Sequence, residues 1–219
     1  MTSLQRFISV ASIVLGLCLG LQTPAEGQSR GTLTFSDGDR YEGELKGDQP
    51  HGRGLYVFSY GDRYEGEFRD GKPHGQGVYT HASGDGYAGE FKDGKFDGRG
   101  RYTAANGDRY EGQFRDDKFD GQGLYVFASG EKYEGEFRNG LRHGQGFCIF
   151  ANGDSYEGEY RDGKFDGRGV YVFADGEKYE GEFSDDQRHG RGLVTKPDGK
   201  RYAAEYDQGT LVGSMTELK

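Results

Sequence analysis

The sequence predicts an all-β protein: an elongated single-layer antiparallel ribbon of β-hairpins, about eight repeats of 23 residues. Three observations carry this reading. The tetrapeptide Tyr-Glu-Gly-Glu, or a close variant, begins at Tyr41, Tyr64, Tyr87, Tyr110, Tyr133, Tyr156, Tyr179 and Tyr202, a constant spacing of 23. Glycine supplies 41 of the 219 residues and recurs at fixed places in that unit. Short apolar alternations bounded by Gly-containing turns argue strands, and nothing resembles a helix with an apolar stripe.

Composition narrows the alternatives. Hydrophobic residues are 32 % and charged residues 30 %, which would suit a disordered chain, but 16 Tyr and 15 Phe do not. Glycine at every third position is absent, which excludes collagen. A formal net charge of −9 argues against nucleic acid and against purely electrostatic binding to anionic lipid.

The first element, residues 1–27, stands apart in composition. Arg6 precedes an uncharged run, Ile8–Leu21, that is too short for a comfortable membrane span of about 20 residues but suits the core of a signal peptide. Ala25 and Gly27 place small residues at −3 and −1 of a cleavage after Gly27; cleavage after Ala25 is the second choice. A secreted or periplasmic protein is therefore expected, or a membrane-anchored one if the segment is retained. Leu15–Cys18 resembles a lipoprotein signal except for Leu17 before the cysteine. Cleavage after Gly27 leaves Cys148 as the one cysteine, too few for an internal disulfide.

The remainder, 28–219, reads as one repeat domain, opening with a half-repeat over 30–40. With Tyr as position 1, glycine recurs at position 3 (Gly43 to Gly181), 12 (Gly52 to Gly213), 14 (Gly31 to Gly192) and 21 (Gly38 to Gly199). Positions 7–8 read Asp70-Gly71, Asp93-Gly94 and Asn139-Gly140, signatures of a two-residue type I′ hairpin loop. Positions 19–21, such as Ala105-Asn106-Gly107, suit a two-residue loop or a three-residue loop closed by a left-handed glycine. Parity decides. A two-residue loop switches the inward set between odd and even positions and a three-residue loop does not, so an odd repeat needs one of each. This register pairs position 5 with 10, 3 with 12, 1 with 14, and 16 with the next Tyr. One face then carries positions 1, 3, 5, 10, 12, 14, 16 and 18. It collects all aromatics of the chain but Phe7, Tyr60 and Phe147. Rings should lie over bare glycine backbone, and Phe91 should face Phe96, Phe114 Phe119, and Tyr160 Phe165. The eighth unit departs from the pattern at Ala203 and Ala204, as terminal caps do. About 16 strands spaced ~4.8 Å apart make a ribbon roughly 75 Å long.

The unit Tyr64–Gly77, YEGEFRDGKPHGQG, resembles the MORN (membrane occupation and recognition nexus) repeat: Tyr-x-Gly-x-aromatic, a Gly turn, then His-Gly-x-Gly. The residues that carry the resemblance are Tyr64, Gly66, Phe68, Gly75 and Gly77, and again Tyr133, Gly135, Phe137, Gly144 and Gly146. Departures are Asp97, Asp120 and Asp166 in place of His. The resemblance implies a twisted single-layer sheet that acts as a scaffold or dimerisation module, with phospholipid binding suggested for some members.

Chemistry finds little purchase. Catalytic carboxylate pairs need two environments in one pocket, whereas these glutamates repeat on the face opposite the aromatics. Arg53 is expected beside Glu42 and Glu67, Arg168 beside Glu157 and Glu182, and Arg191 beside Glu180 and Glu205, as exposed ion pairs. His51, His74, His143 and His189 share position 11, too far apart for one metal. His81 reads as surface, and Cys148 as a small buried residue in a Tyr position. The Asp37-Gly38-Asp39 turn hints at calcium only weakly, because other units replace these Asp. No cofactor, no metal and no enzyme activity are expected. The leading expectation is an exported scaffold or interaction module for a protein partner, dimerising through its ends. A glycan-binding module using the aromatic rows and a membrane-associating module are the alternatives.

Overall fold

A computed structural model describes residues 29–219; the expected signal segment, its expected cleavage and Cys18 lie outside them. After β1 (Ser29–Thr34), a seven-residue and a nine-residue strand alternate. They are β2 (Arg40–Lys46) and β3 (Gln49–Val57), β4 (Arg63–Arg69) and β5 (Lys72–Thr80), β6 (Gly86–Lys92) and β7 (Lys95–Thr103), β8 (Arg109–Arg115) and β9 (Lys118–Val126). Then come β10 (Lys132–Arg138) and β11 (Leu141–Ile149), β12 (Ser155–Arg161) and β13 (Lys164–Val172), β14 (Lys178–Ser184) and β15 (Gln187–Thr195), and β16 (Arg201–Asp207). The last long strand is broken into β17 (Thr210–Leu211) and β18 (Thr216–Leu218), both paired to β16. From β1 to β16 each strand pairs antiparallel with its chain neighbours, so the described residues form one open hairpin-ordered sheet.

Both loops take the expected form. Asp70 (φ 49°) and Gly71 (φ 80°) make the two-residue turn with both residues left-handed. In the longer loop Gly61 donates to the Phe58 carbonyl and Phe58 N–H to the Asp62 carbonyl, a type I turn closed by Gly61 at φ 106°. The register confirms Phe91 opposite Phe96, Phe114 opposite Phe119, Tyr160 opposite Phe165, and Tyr56 opposite the next Tyr64.

One pairing differs from the expected register. Position 3 pairs with 14, not 12, and position 1 with 16, not 14: Gly158 faces Gly169 and Tyr156 faces Tyr171. Between Gly158 and Tyr160 the short strand has one residue, Glu159, where the long strand has Asp166, Gly167 and Arg168. This bulge inserts two residues. An even insertion preserves parity, so the aromatic rows stay on their face although position 12 leaves it.

The core is the aromatic face itself. Tyr41, Tyr64, Tyr110, Tyr133, Tyr156 and Tyr179 are 0 % exposed in a sheet with no second layer. Each position-1 ring lies along its own strand over two glycines. A Cβ on Gly169 would stand 2.4–2.6 Å from Tyr156 ring atoms, and one on Gly158 would meet the Gly169 Cα at 2.5 Å. Neighbouring rings complete the burial. Phe96 stacks on Tyr87 at 3.8 Å, and Phe91 and Phe114 meet Tyr87 edge-on at 5.1 and 4.9 Å.

Candidate functional site

The repeated glutamates have two environments. The first, at position 2, is solvent-facing, as at Glu42, Glu65, Glu134 and Glu157. The second, at position 4, sits at the bulge. Glu159 accepts the Arg168 N–H at 3.0 Å, Glu90 the Arg99 N–H at 2.9 Å, and Glu136 the Gln145 N–H at 3.3 Å. These carboxylates therefore complete the backbone hydrogen bonding that the bulge interrupts. The expected ion pairs are corrected accordingly. Arg53 and Arg168 pair in register with Glu67 and Glu182, but Glu42 and Glu157 face Leu55 and Val170 instead. Likewise Arg191 lies opposite Glu205, while Glu180 faces Leu193. None of these arginines is within ion-pair distance of its expected partner among the described residues.

The resemblance-bearing residues occupy matching places. Tyr64 donates its hydroxyl to the Glu67 carbonyl at 2.8 Å, and Tyr133 to that of Glu136 at 2.9 Å, the carbonyl at the break in the ladder. Gly66 and Gly77 lie under Tyr64, and Gly135 and Gly146 under Tyr133. Gly75 (φ 65°) and Gly144 (φ 58°) form the bulge, beneath the Glu67 and Glu136 carboxylates. Phe68 and Phe137 are 4 % and 6 % exposed and cover the tyrosines edge-on.

Position 11 now has a physical account. His51 and His74 Nδ1 accept the N–H of the next unit's turn, from Asp70 and Asp93, at 3.4 Å; Asp120 accepts the Asn139 N–H at 3.3 Å. His and Asp interchange because either can accept that proton. Such a role was not readable from spacing, since it joins successive hairpin turns.

A second carboxylate row, at position 22, ties successive units together. Asp154 accepts the Tyr171 hydroxyl at 2.6 Å and the Ala174 N–H at 2.8 Å. Asp39 does the same for Tyr56 and Ser59, and Asp108 for Tyr125 and Ala128. The Asp39 carboxylate is thus engaged within the fold, and among the described residues no group of three His, Cys, Asp or Glu could hold a metal ion. The row changes where the position-16 Tyr is absent. Glu131 meets Cys148 at 3.7 Å and Arg142 at 2.8 Å. Burial pushes the Cys148 thiol up to about 12, which leaves it a poor nucleophile.

The aromatic face is closed along its position-1 and position-5 rows and half-buried along positions 10, 16 and 18. Between those half-buried rows lie two clefts. One of about 400 Å³ is lined by Phe150, Phe165, Tyr171, Phe173, Phe183 and Arg188. The other, of about 160 Å³, lies between Tyr79, Tyr87, Phe96 and Tyr102.

Fold and face together define a repeat protein of the single-layer β-ribbon class, one whose units bury their rings only against neighbouring units. The MORN repeat family model matches residues 28–40, 41–63, 64–86, 87–109, 110–132, 133–155, 156–178 and 179–201, and the chain belongs to that family. The sheet continues past the last match through β16, β17 and β18. No curated protein matches the sequence. Among solved structures the chain is similar to the TCP domain of Drosophila melanogaster SAS-4 (dCPAP) in complex with a proline-rich motif of Ana2. There the identity is 14 %, the TM-score 0.45, and 84 % of this chain and 95 % of that one are covered. The TCP10 domain of Danio rerio CPAP in complex with a STIL peptide gives 17 %, 0.39, 87 % and 99 %.

Proposed function

We propose that the protein is an exported, non-enzymatic scaffold that holds a protein partner along its aromatic face. The observation that carries this reading is the division of that face. Its deep rows are spent on folding, while half-buried rings at positions 10, 16 and 18 frame clefts three units apart on one continuous ribbon. The non-enzymatic reading is supported by the same chemistry: position-4 carboxylates such as Glu159 and position-22 carboxylates such as Asp154 are engaged by backbone N–H groups and tyrosines of the fold. Export rests on residues 1–27, with their uncharged run and small residues before position 28. Both ends of the sheet offer strand edges, β1 paired on one side by β2 and the β17–β18 edge paired to β16, through which two copies can join.

Cell fractionation with mass analysis of the N-terminus tests export: the protein is expected in the envelope or medium, starting at residue 28. Affinity capture from the envelope tests the scaffold. A partner retained by the native ribbon is expected; retention on cell-wall polysaccharide with no protein recovered would replace this reading with a glycan-binding one.

A further inference from the structure

Arg142 and Arg188 occupy position 10 of two units, the place held by Phe96, Phe119 and Phe165 elsewhere. Each guanidinium replaces the missing ring by lying over its neighbours. Arg142 is 5.1 Å from the Tyr133 centroid, and Arg188 is 4.7 Å from Tyr206 and 5.5 Å from Tyr179. Their charge balance differs. Arg142 donates to Glu131 at 2.8 Å. The equivalent carboxylate for Arg188 is Glu177, but Lys196 takes it at 2.5 Å. Among the described residues no carboxylate lies within ion-pair distance of Arg188, and its described hydrogen bond runs to the Tyr206 hydroxyl at 3.1 Å.

Arg188 also lines the larger cleft together with Phe150, Phe165 and Phe173, its guanidinium 5.7 Å from the Phe173 centroid. Asp186 stands at its rim, with its carboxylate accepting the Phe165 N–H at 2.8 Å. A guanidinium without a carboxylate, set among aromatic rings, is a ready partner for an anion that carries apolar groups beside it. The rest of the groove limits what that anion is. Three units away the smaller cleft presents Asp85 and His81 rather than a second arginine. A regularly charged polyanion would meet Asp85 and Asp186. An extended chain with one carboxylate between apolar side chains would escape Asp85 and meet at the Arg188 cleft only Asp186, whose carboxylate already accepts the Phe165 N–H.

We propose that the Arg188 cleft receives an acidic side chain, flanked by apolar ones, of an extended partner peptide. This rests on the reading that the aromatic face holds a protein. The test is an unbiased library of short random peptides panned on the full chain. Enriched peptides are expected to carry Asp or Glu beside Phe, Leu or Trp. Arg188→Gln should weaken the best of them about tenfold, the worth of one charge-assisted hydrogen bond, and Arg188→Lys less. Arg142→Gln, which alters the compensated arginine, should leave affinity unchanged. Thermal melts of the Arg188 variants check that they fold. Enrichment without acidic residues, no enrichment, or affinity indifferent to Arg188→Gln would overturn the assignment. So would Arg188-dependent binding of a galacturonate oligosaccharide with no peptide selected. If the envelope partner is captured equally by the Arg188→Gln chain, this assignment fails and the scaffold reading stands; if no partner is captured by either, the scaffold reading itself fails.

Discussion

Tyr160 carries a polar atom for which the lattice has no use. It holds position 5, where Phe68, Phe91, Phe114, Phe137 and Phe183 stand in other units, and is 3 % exposed with no hydrogen-bond partner for its hydroxyl. A buried unpaired hydroxyl costs about 1–3 kcal/mol. The ring contacts to Tyr133 (5.0 Å), Tyr156 (5.2 Å) and Phe165 (5.3 Å) need no oxygen. Tyr160→Phe should therefore raise stability by about 1 kcal/mol in urea denaturation; a loss would reveal a partner for the hydroxyl. Position 1 is the opposite case. Its buried ring was legible from parity and from the glycines, but the need for Tyr rather than Phe was not. The Tyr156 hydroxyl bonds the Glu159 carbonyl at 3.0 Å, a group at the bulge, and the bulge leaves no mark on an even-numbered register. The bulge likewise hides from the sequence that position-4 glutamates such as Glu90 and Glu159, unlike those at position 2, turn back onto backbone N–H groups. Strand alternation tells which face a side chain is on, not whether its carboxylate turns back onto its own backbone.

Within one hairpin, the bulge decides the arrangement. Gly167 sits there at φ 112°, and a Cβ would lie 2.7 Å from the Glu159 carboxyl carbon and 2.9 Å from the Glu159 Cβ. Gly167→Ala combines left-handed strain with displacement of that carboxylate and should cost about 1–3 kcal/mol. Glu159→Ala loses one exposed charge-assisted bond and should cost about 1 kcal/mol. In the double variant the two losses should be less than additive, because alanine at 167 already dislodges the carboxylate. Additive losses would mean that the glutamate does not act through the bulge. Between hairpins the Asp row carries a pH dependence. The Tyr171 hydroxyl and the neighbouring amides hold the Asp154 carboxyl below the usual range. Asp39 and Asp108 are lowered chiefly by the Ser59 and Ala128 N–H groups. A carboxyl depressed in the folded state contributes stability that is complete above its unfolded pKa, about 3.9, and is lost as pH falls through the lower folded value. The urea midpoint should change little through this row from pH 7 to about 5 and fall below about pH 4. Asp154→Asn should lower the neutral midpoint and flatten the acid fall; an unchanged acid profile would show that the row is not its source.

At the level of the whole ribbon, the same row sets where a unit can be removed. Deleting residues 87–109 joins Gly86 to Tyr110 and keeps the period of 23. Asp85 now accepts the Ala105 N–H at 2.8 Å and faces Tyr102. After the deletion the lattice hands it Ala128 and Tyr125, the same residue types at the same positions. Tyr110 inherits the place of Tyr87, and Phe119 that of Phe96, which stacks on Tyr87 as Phe119 stacks on Tyr110 at 3.9 Å. Because each unit contacts chiefly its neighbours, the shortened chain should fold with an unchanged β-sheet circular dichroism per residue and a smaller urea m-value, in proportion to the surface lost. Deleting residues 110–132 keeps the period too, but it removes Glu131 from Arg142 and brings Cys148 to Asp108 in place of Tyr125. It should be the less stable of the two at equal length. A third deletion, of residues 87–108, leaves one residue too many, lengthening the Tyr64-to-Tyr110 spacing beyond the period, and turns every later ring to the opposite face, so it should abolish cooperative unfolding of the sheet beyond the junction. Equal stability of the two full-unit deletions would show that the units are interchangeable and that the changes at Glu131, Arg142 and Cys148 are energetically silent.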